Sequence, residues 1–247
     1  MLKIFDEIID ENYNGIRIID IENTNLFLKK CFEFEKGNDK SFIKINGEYI
    51  NSENYLLIDN LTKVSDLLNF TSKNILFKSI QNYFSKDLSI FNIEKLNNII
   101  KNINKKFDEN IISLSLDNNK LIKNIFSLDE DIYLNLLVFE NYLKNYDSKE
   151  KLTFIINDVE WISIKFMLKY INKFNFIVLT NNSQKYLSSI NEIILLSFYS
   201  KNNFVNITFL EQIESILNEI KIEKNMKKID IISNKKLFFE LKSTFFL

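Results

Sequence analysis

The spacing of apolar residues predicts short strands and one helix in the first part of the chain. Apolar runs at Ile16–Asp20 and Tyr55–Asp59 are typical of β-strands. Asn23 and Thr24 are both candidate caps for a helix whose apolar residues Phe27, Cys31 and Phe34 recur at helical spacing. The Asn46–Gly47 pair between two strand-like runs predicts a hairpin, because both residues readily adopt the positive φ angles of its turn.

The middle of the chain has the helical period instead. In Ile93–Phe107 the apolar residues recur on one face of a helix. In Ile132–Leu143 they form a narrower seam of the coiled-coil type. Strand signals are few between about residues 75 and 148, and the best of them, Ile111–Leu116, is consistent with a short strand or a loop. We therefore expect mainly long helices that pack against each other.

Strand signals return after about residue 149. Leu152–Asn157 and Phe176–Thr180 predict buried strands, and the apolar stripe within Trp161–Ile171 predicts a helix between them. A strand, a helix and a strand of these lengths form a βαβ unit with parallel pairing and a right-handed crossover. Ile193–Phe198 predicts one more strand.

These patterns predict an α/β fold with a helical insertion. No linker rich in Pro, Gly or Ser separates the parts, which favours an insertion over a string of domains. We expect a parallel-sheet head formed by residues 1–75 and 149–247, with a C-terminal extension from about residue 203. Residues 76–148 are expected to form an α-helical leg region.

The composition excludes several classes of enzyme. The 247 residues include no His, one Cys and three Gly. Without His there is no Ser-His-Asp or Cys-His catalytic group and no imidazole metal ligand. One cysteine provides neither an internal disulfide nor a thiolate zinc site, and three scattered glycines cannot form a glycine-rich phosphate-binding loop. Any chemistry would depend on carboxylates, lysines, hydroxyls and amides.

No segment of the sequence suggests secretion or a membrane. The N-terminal stretch MLKIFDEIIDE carries acids within its apolar run, unlike a signal peptide. No window offers the roughly 18 uncharged apolar residues that a membrane helix needs. We therefore expect a cytoplasmic protein in a reducing setting, with no membrane partner.

One hypothesis is a divergent nucleotide hydrolase. Asn60–Lys63 follows a predicted strand and precedes a helical region, where a phosphate-binding loop would lie in an α/β nucleotide-binding domain. Asp158, at the end of another strand, superficially resembles a metal-holding acid. Because the glycines are missing, Lys63 is more simply a solvated lysine, and Asp158 is expected to cap a helix ahead of Trp161.

Local excesses of lysine lie within a nearly neutral chain. The net charge is −1, yet residues 60–86 carry four lysines against one acid, and residues 221–247 carry seven against three. A lysine face can neutralise phosphates without reading sequence. The alternative is a solubilising surface in a chain rich in Lys that contains a single Arg and no Ala, a bias typical of genomic base composition.

Two further features allow other interpretations. Acids after the helix that ends near Lys106 could supply oxygen ligands to a hard cation such as calcium, although helix caps and solvated turns are the simpler explanation. The seam in the middle of the chain could instead dock another protein, which would make the chain a structural interaction module. That seam consists of Ile132, Leu136, Phe139 and Leu143.

The order of these elements resembles the small DNA-end-binding accessory protein of type II-A CRISPR–Cas systems, which serves spacer acquisition. The resemblance extends from about Gly15 to about residue 200. It is carried by GIRIIDIENTNLFLKKCFEFEKG, by YLLIDNL followed by a helix, by the helical middle, and by KEKLTFIINDVEW and KFNFIVLT.

The resemblance implies a non-catalytic protein of antiviral defence. Its α/β head would be like a P-loop ATPase with a degenerate nucleotide site, so no nucleotide is expected, and a helical leg region would extend from it. A homotetrameric ring would hold double-stranded DNA in a lysine-lined hole, calcium would support assembly, and the CRISPR integration machinery and effector nuclease would be partners. By resemblance, candidates for the inner surface of the ring are Lys63, Lys73, Lys78, Lys101, Lys105 and Lys106.

Two features depart from this family. The family has a dense acidic cluster after the first long leg helix, whereas the corresponding ENIISLSLDNN has Ser113 and Ser115 among its apolar residues. About 45 residues, from roughly Asn203 to Leu247, also follow the usual end of the family's chain. The candidate calcium ligands are Asp108, Glu109 and Asp117.

Overall fold

The structure is a computed structural model that describes most of the chain. The described residues are 1–68, 75–86, 92–106, 110, 113, 117–127, 129, 131–147, 150–207 and 234–246. Two units can be distinguished. The first comprises Met1–Leu61, Asn135–Leu143 and Asp147–Leu247, and the second comprises Thr62–Leu134 and Lys144–Tyr146.

Ten strands and eight α-helices are seen in the described residues. The strands are β1 (Leu2–Ile4), β2 (Glu7–Asp10), β3 (Ile16–Ile21), β4 (Ile43–Ile45), β5 (Glu48–Tyr49), β6 (Tyr55–Ile58), β7 (Leu152–Asn157), β8 (Phe174–Thr180), β9 (Leu196–Ser200) and β10 (Asn203–Asn206). The helices are α1 (Thr24–Asn38), α2 (Val64–Leu67), α3 (Ile75–Lys86), α4 (Ile93–Lys106), α5 (Asn118–Ile125), α6 (Leu136–Asn145), α7 (Ile164–Leu168) and α8 (Lys235–Phe246).

Six strands form one sheet in the first unit. Its order is β10-β9-β3-β8-β7-β6, and all neighbours are parallel except β10, which is antiparallel to β9. The four strands predicted in β3, β6, β7 and β8 are confirmed, and β7, α7 and β8 form the expected parallel βαβ unit. The chain therefore has a mixed α/β fold with a largely parallel sheet.

Strand β3 lies at the centre of this sheet, and all six of its residues are buried. A strand covered on both faces is normally apolar throughout, but Arg17 is an exception. Its guanidinium donates to Ser197 Oγ at 2.7 Å and lies 3.3 Å from Asp10 Oδ2. It also donates to the carbonyl oxygens of Ile194 and Leu196 at 2.8 and 2.7 Å. Burial lowers the pKa of Arg17 to about 10, and the charge of Asp10 opposes the shift.

A second sheet in the first unit is antiparallel, with the order β2-β1-β4-β5. The predicted hairpin is confirmed, because Asn46 and Gly47 join β4 to β5 with φ angles of 51° and 93°. The β1–β2 hairpin has no comparable sequence signal. Its turn uses Phe5 and Asp6 at φ angles of 53° and 66°, without a glycine or asparagine to indicate the turn.

Helix α1 packs into the core through Phe27, Leu28 and Cys31. Of the two candidate caps, Asn23 is the one observed, because its Oδ1 accepts a hydrogen bond of 2.9 Å from the Leu26 N–H, whereas Thr24 is the first residue of α1. Cys31 is fully buried, and burial raises the pKa of its thiol. The single cysteine is therefore a core residue.

Aromatic rings fill another part of the core of the first unit. Phe139 from α6 contacts the rings of Phe154, Trp161 and Phe166, with centroid separations of 5.0, 5.9 and 5.9 Å. Edge-on and tilted ring pairs of this kind stabilise a core beyond the area that they bury. This packing explains why residues 135–143 belong to the first unit.

This packing buries part of the apolar seam that the sequence suggests as a docking surface for another protein. Phe139 and Leu143 are buried, with 0% and 1% exposed, whereas Ile132 and Leu136 are 45% and 38% exposed. Half of the seam is therefore internal and is not accessible to a partner protein.

Helix α7 is shorter than the helix predicted within Trp161–Ile171. Ser163 Oγ caps it by accepting a hydrogen bond of 3.2 Å from the Phe166 N–H. The prediction that Asp158 caps a helix ahead of Trp161 is therefore wrong. Asp158 instead follows β7 directly, with a left-handed φ of 55°.

The segment beyond about residue 190 also differs from the expected strand at Ile193–Phe198. Residues Ile190–Leu195 form 3₁₀ turns, and β9 begins only at Leu196. After residue 203 the chain adds β10 to the sheet and then α8, while residues 208–233 are outside the described part. Within the described ranges, no helix has the length and apolarity that crossing a bilayer requires.

The second unit has its own small core, in which Phe77 of α3 meets Ile122 of α5 with both side chains fully buried. Helix α4 differs from them, because none of its side chains is buried and Ile99 is 46% exposed. The predicted apolar face of this helix is therefore at most partly covered by the described residues.

Candidate functional site: the lysine surface and the carboxyl edge of the sheet

Four of the six predicted DNA-binding lysines are exposed on helices of the second unit. Lys78 lies on α3, and Lys101, Lys105 and Lys106 lie on α4. Lys101 and Lys105 are one helical turn apart, so their side chains project from the same face. The described part of the chain shows no ion pair that neutralises these three α4 lysines.

The remaining two predicted DNA-binding lysines are Lys63 and Lys73. Lys63 is half-buried and immediately precedes α2, where its backbone N–H donates to Asp66 Oδ2 at 2.8 Å. It also forms an isolated antiparallel bridge with Tyr133. Lys63 thus has a local structural role at the start of α2, five residues after the end of β6. Lys73 lies outside the described residues.

Asp117 is the one candidate calcium ligand that the structure describes. Its Oδ1 accepts hydrogen bonds from the N–H groups of Asn119 and Lys120 at 3.0 and 3.2 Å, so it caps α5. Lys120 Nζ also lies 4.0 Å from its Oδ2. Asp108 and Glu109 lie outside the described residues. In the described part of the chain, no three His, Cys, Asp or Glu side chains are grouped to hold a metal.

A second cluster of charged groups lies at the carboxyl ends of the parallel strands in the first unit. Asp158, just after β7, accepts hydrogen bonds from Thr180 Oγ1 at 2.7 Å and from Lys185 Nζ at 2.9 Å. Burial alone would raise the pKa of Asp158, but the bonds from Lys185 and Thr180 outweigh it and hold the pKa below its ordinary value. Asp158 is therefore a carboxylate at neutral pH, paired with a lysine.

Asp20, near the end of β3, is a fully buried acid. Its Oδ2 accepts hydrogen bonds from the backbone N–H of Ser183 at 3.1 Å and from the Ser183 hydroxyl at 2.6 Å. Its Oδ1 forms a 2.7 Å ion pair with Lys242 Nζ of α8. Lys242 also donates to the Asn181 carbonyl oxygen at 2.8 Å.

This edge of the sheet therefore holds two carboxylates, each matched by a lysine ammonium group. Lys185 and Lys242 thus each place a positive charge beside one of the two carboxylates. The pairing also removes Lys242 from the lysines of the C-terminal segment that could face DNA, since its side chain is only 19% exposed.

Local sequence patterns do not predict that Asp20, Lys185 and Lys242 lie at one charged edge of the sheet. One signal was available, because an acid within a strand that is otherwise apolar must find a partner inside the protein. The identity of that partner could not be read from the sequence, since Lys242 comes from the opposite end of the chain.

The fold and these sites define an α/β protein with a largely parallel six-stranded sheet and an exposed lysine surface on helices. A search of known protein families and of curated proteins finds no match to the chain. The fold is similar to that of Stu0660 of Streptococcus thermophilus, with a TM-score of 0.57 over 97% of this chain and 85% of that chain. The two sequences are 15% identical, so the similarity is one of fold.

Proposed function

We propose that this protein is a non-catalytic, ring-forming protein that binds ends of double-stranded DNA and supports CRISPR spacer acquisition. The observation that carries the proposal is the exposed lysine surface of α4, formed by Lys101, Lys105 and Lys106. The order of sequence elements resembles the DNA-end-binding family, and the fold agrees with an α/β head of the kind that the family has. The integration machinery and effector nuclease are the proposed protein partners.

Lysine side chains suit this role because they contact phosphates as point charges and do not require a particular base sequence. Each phosphate contact releases counterions, so binding weakens steeply as salt concentration rises. The proposal therefore predicts binding to linear duplex with little sequence preference and a strong dependence on ionic strength.

Self-association is the second component of the proposal. Helix α4 has apolar residues on one face, yet none of its side chains is buried in the described structure. Ile99 of this face is 46% exposed. A second copy of the chain would remove such a face from water, which is favourable in proportion to the apolar area covered. A homotetramer, with calcium supporting it, remains the proposed assembly.

The proposal is tested by competition between linear duplex and closed circular duplex of the same sequence. A labelled linear fragment is bound at low salt, and either unlabelled form is added as competitor. End recognition predicts that linear fragments compete at least tenfold better per nucleotide than circles. Equal competition would show that ends are not recognised, and no binding at low salt would reject DNA binding altogether.

A nucleotide hydrolase is less well supported by the observed contacts. Asp158, which that hypothesis uses as a metal-holding acid, is engaged by Lys185 and Thr180. ATP turnover that disappears in both Lys63→Ala and Asp158→Ala would reverse this preference.

A further inference from the structure

A cavity of about 560 Å³ lies at the amino ends of the parallel strands of the first unit. It is lined by residues 13–15 ahead of β3, residues 150 and 151 ahead of β7, and Asn175 at the start of β8. The β4–β5 hairpin and the turn before β6 also contribute to the lining. The volume falls within the range of about 300–1,000 Å³ that is common for sites of small molecules. The polar groups of the lining therefore decide which molecule this cavity can hold.

The hydroxyl group of Tyr13 is a polar group of this lining that lacks a partner. Its oxygen is buried and has no hydrogen-bond partner among the described residues. Burial raises the pKa of Tyr13, so the hydroxyl keeps its proton at neutral pH, and the Phe176 amide opposes the shift. That N–H can only donate, and it already donates to the Gly15 carbonyl oxygen at 2.8 Å. The hydroxyl hydrogen of Tyr13 is therefore left without an acceptor, which costs free energy that a bound molecule would restore.

The carboxamide of Asn175 is a second buried polar group of the cavity. Asn175 is 6% exposed, and its Nδ2 donates to Thr153 Oγ1 over a long 3.4 Å. A carboxamide has two donor hydrogens and one acceptor oxygen, so Asn175 retains hydrogen-bonding capacity for a further partner. Other asparagines of the lining are Asn14, Asn51 and Asn54. Carboxamides thus recur around the cavity, and each of them can donate and accept at the same time.

The charged residues of the lining disfavour an anionic ligand. Glu48 and Glu150 contribute two carboxylates, against the single ammonium group of Lys151. Lys151 Nζ donates to the Ile171 carbonyl oxygen at 2.9 Å, so part of its hydrogen-bonding capacity is already used. A phosphate or carboxylate group in the cavity would be repelled by the excess negative charge. An uncharged molecule with several donors and acceptors matches the lining better.

We propose that this cavity is a binding site for an uncharged nucleoside with an adenine-type base. A carboxamide side chain pairs with the adenine edge through two hydrogen bonds, because each partner places a donor beside an acceptor. The Tyr13 hydroxyl donates to an acceptor atom of the ligand and is thereby satisfied. The carboxylates of the lining select the nucleoside over its phosphorylated forms. This binding activity does not depend on duplex binding by the α4 lysines.

Isothermal titration calorimetry of the full chain with adenosine tests the site. We expect saturable binding to the wild type, and a Kd that is about threefold to tenfold higher in Tyr13→Phe, because one hydrogen bond is lost. The melting temperature of the free Tyr13→Phe variant should not fall, since the substitution removes only a hydroxyl that lacks an acceptor. Tyr83→Phe is the matched control, because Tyr83 is 78% exposed on α3, and it should bind adenosine like the wild type.

The same titration with other probes tests the ligand class. Adenosine 5′-monophosphate should bind at least about tenfold more weakly than adenosine, and the double variant Glu48→Gln and Glu150→Gln should reduce this difference. No saturable binding of adenosine to the wild type would overturn the proposal. Equal affinity of ribose and adenosine would show that no base is recognised, and would also overturn it. If Tyr13→Phe fails to fold, Asn14→Ala replaces it at an exposed position of the lining, and unchanged adenosine affinity in the folded variant would reject this site.

Discussion

The Arg17 guanidinium donates a hydrogen bond of 2.7 Å to Ser197 Oγ and thereby joins the central strand β3 to its neighbour β9. Two carbonyl oxygens of the segment that enters β9 accept its other hydrogens. A planar group with several fixed donors can bridge a strand in this way, whereas an ammonium group cannot. The single arginine of the chain thus stabilises the order of the sheet.

We predict that Arg17→Met destabilises the first unit by about 3 kcal/mol, because buried acceptors would lose a charged partner. Arg17→Lys should retain part of the charge pairing but fewer hydrogen bonds, and should destabilise less. Urea unfolding followed by circular dichroism measures both. Asp10→Asn is the control, since Asp10 lies 3.3 Å from the guanidinium and is 16% exposed. A larger effect of Asp10→Asn than of Arg17→Met would contradict this account.

Phe139→Ala should reduce the free energy of unfolding by about 3–5 kcal/mol, because it leaves a cavity among three aromatic rings. Leu137 is on the same helix, is 68% exposed and provides a matched control. Leu137→Ala should change stability by less than about 0.5 kcal/mol. Thermal or urea unfolding distinguishes the two, and similar effects would show that α6 is not anchored in the core through Phe139.

Two glycine substitutions are expected to change the stability of the protein in opposite directions. Gly15 has a φ of +108°, and a Cβ there would lie 3.2 Å from Ile171 Cβ, so Gly15→Ala should destabilise the protein by more than about 1 kcal/mol. Gly37 lies in α1 with no atom within 4 Å of the added Cβ. Gly37→Ala should therefore stabilise it by about 0.5 kcal/mol. The difference in melting temperature between the two variants is the measurement, and the same sign in both would refute the prediction.

Replacing the three α4 lysines together should weaken duplex binding and flatten its salt dependence. In the triple variant Lys101→Gln, Lys105→Gln and Lys106→Gln, the logarithm of the binding constant should decrease less steeply with the logarithm of the salt concentration. The magnitude of this slope should drop by up to about 0.9 for each lost phosphate contact. Fluorescence anisotropy with a labelled linear duplex measures this. A charge-matched control replaces three exposed lysines of the first unit, Lys29, Lys36 and Lys235, by Gln. Equal loss in both variants would indicate general electrostatics and not a surface on α4.

The Asp158–Lys185 pair should contribute to stability only above acidic pH. The pKa of Asp158 is lower in the folded state than its ordinary value of 3.8. Its contribution is therefore fully present above that ordinary value and is lost as pH falls through the lowered pKa of the folded protein. Because its side chain is 40% exposed, the effect should stay below about 1 kcal/mol.

The measurement is urea unfolding of wild type and Asp158→Asn at pH 7 and pH 3. The two proteins should differ more at pH 7 than at pH 3. Glu160→Gln serves as control, since Glu160 is 83% exposed and lies 4.0 Å from Lys185. A difference between wild type and Asp158→Asn that grows as pH falls would contradict the sign of this prediction.

The sequence predicted those parts of the fold whose signals are local. The strands β3, β7 and β8 were predictable because each is a short segment dominated by apolar residues, as burial on both faces favours. The cap at Asn23 and the Asn46–Gly47 turn were predictable because one or two residues determine the backbone there. The parallel pairing of β7 with β8 was predictable because a helix lies between these two strands in the sequence.

The candidate site was predictable only in part. Lys101 and Lys105 could be placed on one helical face from their spacing alone, since helical geometry requires only neighbouring residues. The function of Asp117 as a cap is equally local. Whether the lysines of different segments converge on one surface depends on how those segments pack, which no local pattern encodes.

Sequence by itself thus determined the α/β class, the main strands and the absence of His-based chemistry, because each depends on composition or on residues close in the chain. Only the tertiary structure decided the partners of the buried charges and the location of half of the apolar seam. Arg17 meets Ser197, Asp20 meets Lys242, and Phe139 enters the core of the first unit. These contacts join residues far apart in the chain, and their partners are selected by packing and by the need to neutralise charge away from water.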